Sequence, residues 1–205
     1  MSGQVGFPQD GHIVLSRYTN TTGDVEIIDT LELRDDYTFD QRVVVPQHGY
    51  YKLDFYGKQV LNIILGEDDM IVNVDGNNQN GFSEIKGSKD HNYLIGFQQA
   101  VQQFQQSPEI TELQEIYVEA QNDNDTEVMD SLRNSYVQLD QELKMRLLRD
   151  ADTMRTSLGV VEVLRNQQYI DPDVFYDFMK EYAARVEKDM PNTPVADDFV
   201  TMVKN

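Results

Sequence analysis

The sequence predicts an α+β protein: an antiparallel β-sandwich of about seven or eight strands over residues 1–88, followed by an α-helical segment with a long helical hairpin over residues 89–205. Two observations carry this. From Gly11 to Lys86, short runs of alternating apolar residues are punctuated by Gly, Asn and Asp, the pattern of consecutive antiparallel strands. From Gly87-Ser88 onward the apolar period lengthens from two to about 3.6, the pattern of amphipathic helices.

The strand runs are His12 to Tyr18, Val25 to Leu33, Tyr37 to Val45, Tyr50 to Tyr56, Gln59 to Leu65, Met70 to Val74 and Phe82 to Ile85. Asn20-Thr21-Thr22-Gly23, Arg34-Asp35-Asp36, Gln47-His48-Gly49 and Gly57-Lys58 supply turns, because Gly accepts positive φ and Asn or Asp bonds its own backbone. No stretch of helical crossover length separates these runs, which disfavours a parallel α/β sheet. Met1-Ser2-Gly3-Gln4-Val5 has neither a basic n-region nor an apolar h-region, so any export leader has been removed or never existed; Met-Ser-Gly suggests an artificial start placed after a leader.

In the second half, Tyr93, Leu94, Phe97, Val101 and Phe104 share one face of a helix that Ser88 or Asp90 can cap. Ser107-Pro108 opens a second helix with Ile110, Leu113, Tyr117 and Ala120 as its stripe. After Asn122-Asp123-Asn124, a long helix from about Asp125 carries Val128, Leu132, Tyr136, Leu139, Leu143 and Leu147. That stripe must be covered, by the preceding helix in an antiparallel hairpin or by a second copy in a homodimer. Three shorter helices follow: Leu158 to Asn166, one opened by Asp171-Pro172 with Phe175, Phe178, Met179 and Tyr182 inward, and one opened by Thr193-Pro194.

Composition removes several function classes. A net charge of −19 repels a polyanion, and the acidity is spread over both halves, so nucleic acid is a poor partner. With no cysteine, the chain has no disulfide, thiolate metal site or thiol nucleophile. The longest aliphatic cluster, Val60 to Leu65, is strand-sized, far below the roughly 18 residues of a membrane helix.

No residue set announces catalysis, a cofactor or a metal. His12, His48 and His91 lack a second His or a carboxylate at helical metal-site spacing. Asn122 to Glu127 fails as a calcium loop, because counting from Asp123 places Val128 and Asn134 where Gly and Glu are needed; Asp125 capping a helix explains it. Asp75 to Gly81 reads as a polar turn with one carboxylate. Glu67-Asp68-Asp69 could serve a glycosidase only with another carboxylate across a cleft. Tyr50, Tyr51 and Tyr56 could form a carbohydrate-stacking face, though alternate strand tyrosines are more usually core and rim. Gly-rich phosphate loops, Gly-x-Ser-x-Gly and Ser-x-x-Lys are missing.

Read in order, Gly11 to Leu15, Ile28-Asp29-Thr30, Asp36-Tyr37-Thr38-Phe39, Val45-Pro46, Leu65-Gly66-Glu67, Ile71-Val72-Asn73-Val74 and Ile85-Lys86-Gly87-Ser88 make a recognisable series. It resembles, over about residues 3–92, an N-terminal domain of unknown function. In that family a β-domain and a helical segment precede a thioredoxin-like domain in exported thiol-disulfide oxidoreductases of the alkyl hydroperoxide reductase and thiol-specific antioxidant group. Tyr169-Ile170-Asp171-Pro172 is similar to the segment leading into the thioredoxin fold. Asp35-Asp36-Tyr37 departs from the family's usual Asp-Gly before Phe, and no Cys-x-x-Cys is present, so no catalytic position carries over. The resemblance implies a periplasmic or cell-envelope accessory module that positions a C-terminal thioredoxin-like domain or its protein client. The competing expectations are a carbohydrate- or peptide-binding module and a hydrolase using Glu67 and Asp69.

Overall fold

A computed structural model describes residues 1–152 and 156–205, so residues 153–155 of the expected helical segment lie outside the described residues. The fold is α+β, with two mostly antiparallel four-stranded sheets and six helices. The strands are β1 (Ser2–Val5), β2 (Ile13–Tyr18), β3 (Val25–Leu31), β4 (Thr38–Asp40), β5 (Gly49–Phe55), β6 (Gln59–Leu65), β7 (Ile71–Val74) and β8 (Ser83–Lys86). The helices are α1 (Lys89–Gln105), α2 (Pro108–Asn122), α3 (Thr126–Asp152), α4 (Leu158–Arg165), α5 (Pro172–Asp189) and α6 (Pro194–Lys204). The chain divides into two compact units, one of residues 1–92 and 156–205 and the other of residues 93–155. The helical unit is thus an insertion in sequence, and α4, α5 and α6 belong with the strands.

In the first unit the sheet orders are β4-β1-β7-β8 and β3-β2-β5-β6. β5 shows the alternation at its clearest: Gly49, Tyr51, Leu53 and Phe55 are buried while Tyr50, Lys52 and Asp54 are less so. Val5, Phe39, Val72 and Val74 of one sheet and Ile13, Leu15, Leu53, Phe55 and Ile63 of the other join a single apolar core. α4 is largely buried, with Leu158, Val160, Val161, Val163 and Leu164 almost inaccessible and Glu162 and Arg165 forming a half-exposed polar edge. Phe175, Met179 and Tyr182 of α5 and Phe199 of α6 are buried too; Phe178, expected inward, is half-buried.

Two expectations are corrected. The sandwich was expected to be antiparallel, yet β1 pairs parallel with β7, Ser2 opposite Ile71 through Val5 opposite Val74. The segment Ser2 to Val5, left outside the strand runs, fills the gap between β4 and β7 because its backbone groups bond on both sides. Gly3 makes this close fit feasible: a Cβ there would stand 1.8 Å from the Val72 carbonyl oxygen and 2.7 Å from the Phe39 ring. The run Tyr37 to Val45 yields only three strand residues. Tyr37 adopts φ 64° in a turn where its N–H donates to the Arg34 carbonyl, and the chain leaves the ladder after Asp40 on the way to Pro46.

In the helical unit the Ser107 hydroxyl accepts from Ile110 N–H and Pro108 occupies the first turn, the expected start of α2. α2 ends in a Schellman arrangement: Asn124 sits at φ 56°, its N–H donates to Gln121, and Asp125 N–H donates to Ala120. The Asp125 carboxylate then accepts from Val128 N–H and caps α3. The expected hairpin therefore forms, with Arg133 of α3 donating to the Tyr117 hydroxyl of α2 at 3.2 Å. α1 also runs against α3: the Tyr93 hydroxyl donates to the Leu147 carbonyl, and the rings of Phe104 and Tyr136 lie 6.0 Å apart. One 27-residue helix, about 40 Å long, is thus faced by two shorter helices in succession, broken at Ser107-Pro108.

Gly3→Ala is expected to lower stability by about 1–3 kcal/mol, read as a shift in the urea midpoint at unchanged slope. Asn124→Ala should cost about 1 kcal/mol and Asn124→Gly nothing measurable, because only the left-handed backbone is at stake; equal losses in both would refute that account.

Candidate functional site

A buried polar site of the sheet-bearing unit is built around Asp90. This residue follows the Ser88 cap of α1, whose hydroxyl accepts from His91 N–H, so its side chain projects from the first helical turn. It is 2% exposed. His48, in the turn before β5, places Nε2 2.8 Å from one Asp90 carboxylate oxygen. The other oxygen accepts from the Ser157 hydroxyl at 2.5 Å and from Gly159 N–H at 3.3 Å, at the N-terminus of α4. The Ser157 oxygen in turn accepts from Val160 N–H, capping α4, while Ser157 N–H donates to the Tyr182 hydroxyl, which donates back to the Ser157 carbonyl. Burial pushes the Asp90 carboxyl up, but the hydrogen bonds from His48 and Ser157 outweigh it and hold the group below its ordinary value.

This order of groups is not a hydrolytic triad. The carboxylate stands between His48 and Ser157, whereas a nucleophilic serine needs the imidazole beside its own hydroxyl. Its role is to fasten: a Cβ on Gly159 would lie 2.2 Å from the Asp90 carbonyl oxygen, so α4 starts in direct contact with the backbone of α1's first turn. No neighbour in sequence marks the partner of His48, because Asp90 is 42 residues away.

The other candidate residues are dispersed. His12 is exposed, and burial lowers the His91 imidazole below its ordinary value. Tyr51 is fully buried in the core and donates to the Gln47 carbonyl; Tyr50 donates to the Leu158 carbonyl; the buried Tyr56 hydroxyl has no partner among the described residues. The three therefore make no common stacking face. The Asp75 to Gly81 segment is a turn as expected, closed by Asp75 accepting from Phe82 N–H and by Gln59, whose amide oxygen accepts from Gly76 N–H and whose amide nitrogen donates to the Phe82 carbonyl. Glu67, Asp68 and Asp69 border a cleft of about 570 Å3 with Asp40 and Arg42 on its wall. Within it Asp68 accepts from Lys89 N–H and the Asp69 backbone carbonyl lies against Gly87, while the Glu67 and Asp69 side chains share the cleft with Asp40. Among the described residues, no three His, Cys, Asp or Glu side chains gather to hold a metal ion. No described helix is long and apolar enough to cross a membrane.

The helical unit carries the other candidate. Leu113, Gln114, Tyr117 and Val118 of α2 and Leu132, Arg133 and Tyr136 of α3 line a groove of about 450 Å3. Two helices cover only one side of each stripe: Leu113, Tyr117, Leu132 and Tyr136 remain half-buried, and Val118 is 54% exposed. The Arg133 guanidinium in this wall is paired with Asp130 at 2.9 Å and with Tyr117.

Comparison of the chain with protein-family models, with curated proteins and with solved structures gives no match.

His48→Ala is expected to destabilise the chain by about 3–5 kcal/mol, since it leaves a buried carboxylate short of its partner. The depressed Asp90 value means that its stabilisation is complete at neutral pH and is lost as pH falls below about 4 through the folded-state value. Asp90→Asn should therefore flatten the acid limb of the stability curve measured by urea unfolding between about pH 5 and pH 2. An unchanged acid limb would remove Asp90 from that role.

Proposed function

We propose that this chain is a non-catalytic accessory module that binds protein, and that it serves a cell-envelope thiol-disulfide oxidoreductase-like protein by positioning a thioredoxin-like domain or its client. The supporting observation is the incompletely covered apolar groove between α2 and α3, since a helix pair that leaves its own stripes half-exposed offers a surface for a partner. The two sheets sharing one core read as the halves of a sandwich, the scaffold the resemblance implies. Three of its ordered motifs fall on defined elements: Leu65-Gly66-Glu67 leaves β6, Ile71 to Val74 is β7, and Ile85 to Ser88 closes β8 and caps α1. The redox link and the envelope location rest on that ordered resemblance alone.

The reading is tested first on the parent coding sequence, where a leader upstream and a Cys-x-x-Cys downstream are expected. The parent protein's rate of reducing a disulfide-bonded protein is then compared with its rate on a small soluble disulfide. Val118→Asp should slow the protein reaction by about fivefold or more and leave the small-disulfide rate unchanged. A frame without a thioredoxin-like domain, or equal rates in both proteins, overturns the redox assignment.

A further inference from the structure

We propose that the groove between α2 and α3 docks a basic amphipathic helix of a partner protein, which completes a three-helix bundle with this pair. The inference rests on reading the chain as a protein-binding module and names the chemistry of what it binds. The groove is lined by Leu113, Tyr117, Leu132 and Tyr136, all half-buried, with the exposed Val118 beside them. An apolar trough between two antiparallel helices matches a third helix presenting apolar residues at positions i, i+3 or i+4, and i+7.

Charge selects the occupant. From Glu109 to Asp140 the chain holds nine acidic residues and a single basic one, Arg133, which Asp130 already neutralises. Eight of the nine acids are exposed. A second copy of the chain would bring two such surfaces together, and like charges at an interface oppose association. An acidic helix meets the same repulsion. A helix with a leucine-like face and Lys or Arg on its flanks gains from both features: its apolar side chains fill the groove, and its long basic stems reach the surrounding carboxylates.

The test uses the intact chain and three synthetic peptides of 21 residues: Leu at heptad core positions with Lys elsewhere, the same Leu pattern with Glu elsewhere, and a scrambled Leu/Lys sequence with no apolar face. Binding is followed by fluorescence anisotropy, with sedimentation velocity of the chain alone. The ordered Leu/Lys peptide should bind saturably, at least about tenfold tighter than either control, with affinity falling as salt rises. Val118→Asp adds negative charge while spoiling the apolar rim, so it should weaken that peptide about tenfold, whereas a purely electrostatic attraction would be strengthened. Val118 is exposed, so the variant retains its fold, checked by its unfolding midpoint. Equal binding of the ordered and scrambled Leu/Lys peptides, or undiminished binding by Val118→Asp, overturns the groove. Preference for the Leu/Glu peptide overturns the basic partner but leaves a protein-binding module standing. A dimer that Val118→Asp dissociates assigns the groove to a second copy. Failure of all three peptides removes both this inference and the protein-binding reading.

Discussion

A buried carboxylate needs partners on every side, and the sheet-bearing unit is arranged around meeting that requirement at Asp90. An isolated ionised group at this depth costs several kcal/mol. Here the compensation comes from three separated stretches of chain: the turn before β5 through His48, the start of α4 through Ser157 and Gly159, and α5 through the Tyr182 hydroxyl on Ser157. The α4 N-terminus adds unsatisfied N–H groups and a favourable dipole beside the negative charge. The chain passes into the helical unit after Asn92 and returns at Thr156. The Asp90–Ser157 bond therefore sits two residues from one crossing and one from the other, and ties the departing and returning strands of the insertion together.

The helical unit follows a different logic. Its elements are specified by local signals, the Ser107 cap, Pro108, the left-handed Asn124 and the Asp125 cap, and its pairing needs few buried polar groups. Local signals fix where helices begin and end but do not ensure that every stripe is covered, so those of α2 and α3 stay half-covered even with Phe104 of α1 against Tyr136. The functional reading draws on that surplus, while the polar network around Asp90 joins α1, α4, α5 and the turn before β5.

Much of this was legible in the sequence. Gly, Asn, Asp, Ser and Pro act within a few residues, so turns and caps such as Asp75 to Gly81, Asn122 to Asp125 and Asp171-Pro172 read correctly. Ordinary alternation located β2, β5 and β7, and a continuous aliphatic run located β6. What escaped was decided by distance. Ser2 to Val5 has no pattern of its own and becomes a strand because β4 and β7 bond it on both sides. His48 looked like a plain turn residue until Asp90 arrived from 42 positions away. The groove had the opposite difficulty: the stripes of α2 and α3 were plain, but a stripe covered by a neighbour and one left open have the same spelling.

The interleaved order of the two units bears on how the chain is made. β1 emerges first from the ribosome, yet its parallel partner β7 lies 69 residues later, and the α4–α6 core that completes the same unit appears only after residue 156. Residues 93–155 need nothing so remote, since each helix contacts another within the same insertion. Short-range contacts form quickly and long-range pairings slowly. During synthesis the inserted helices can therefore pair while the first 92 residues still await their C-terminal complement, so an unfinished chain holds the Asp90 carboxylate without Ser157 and Gly159.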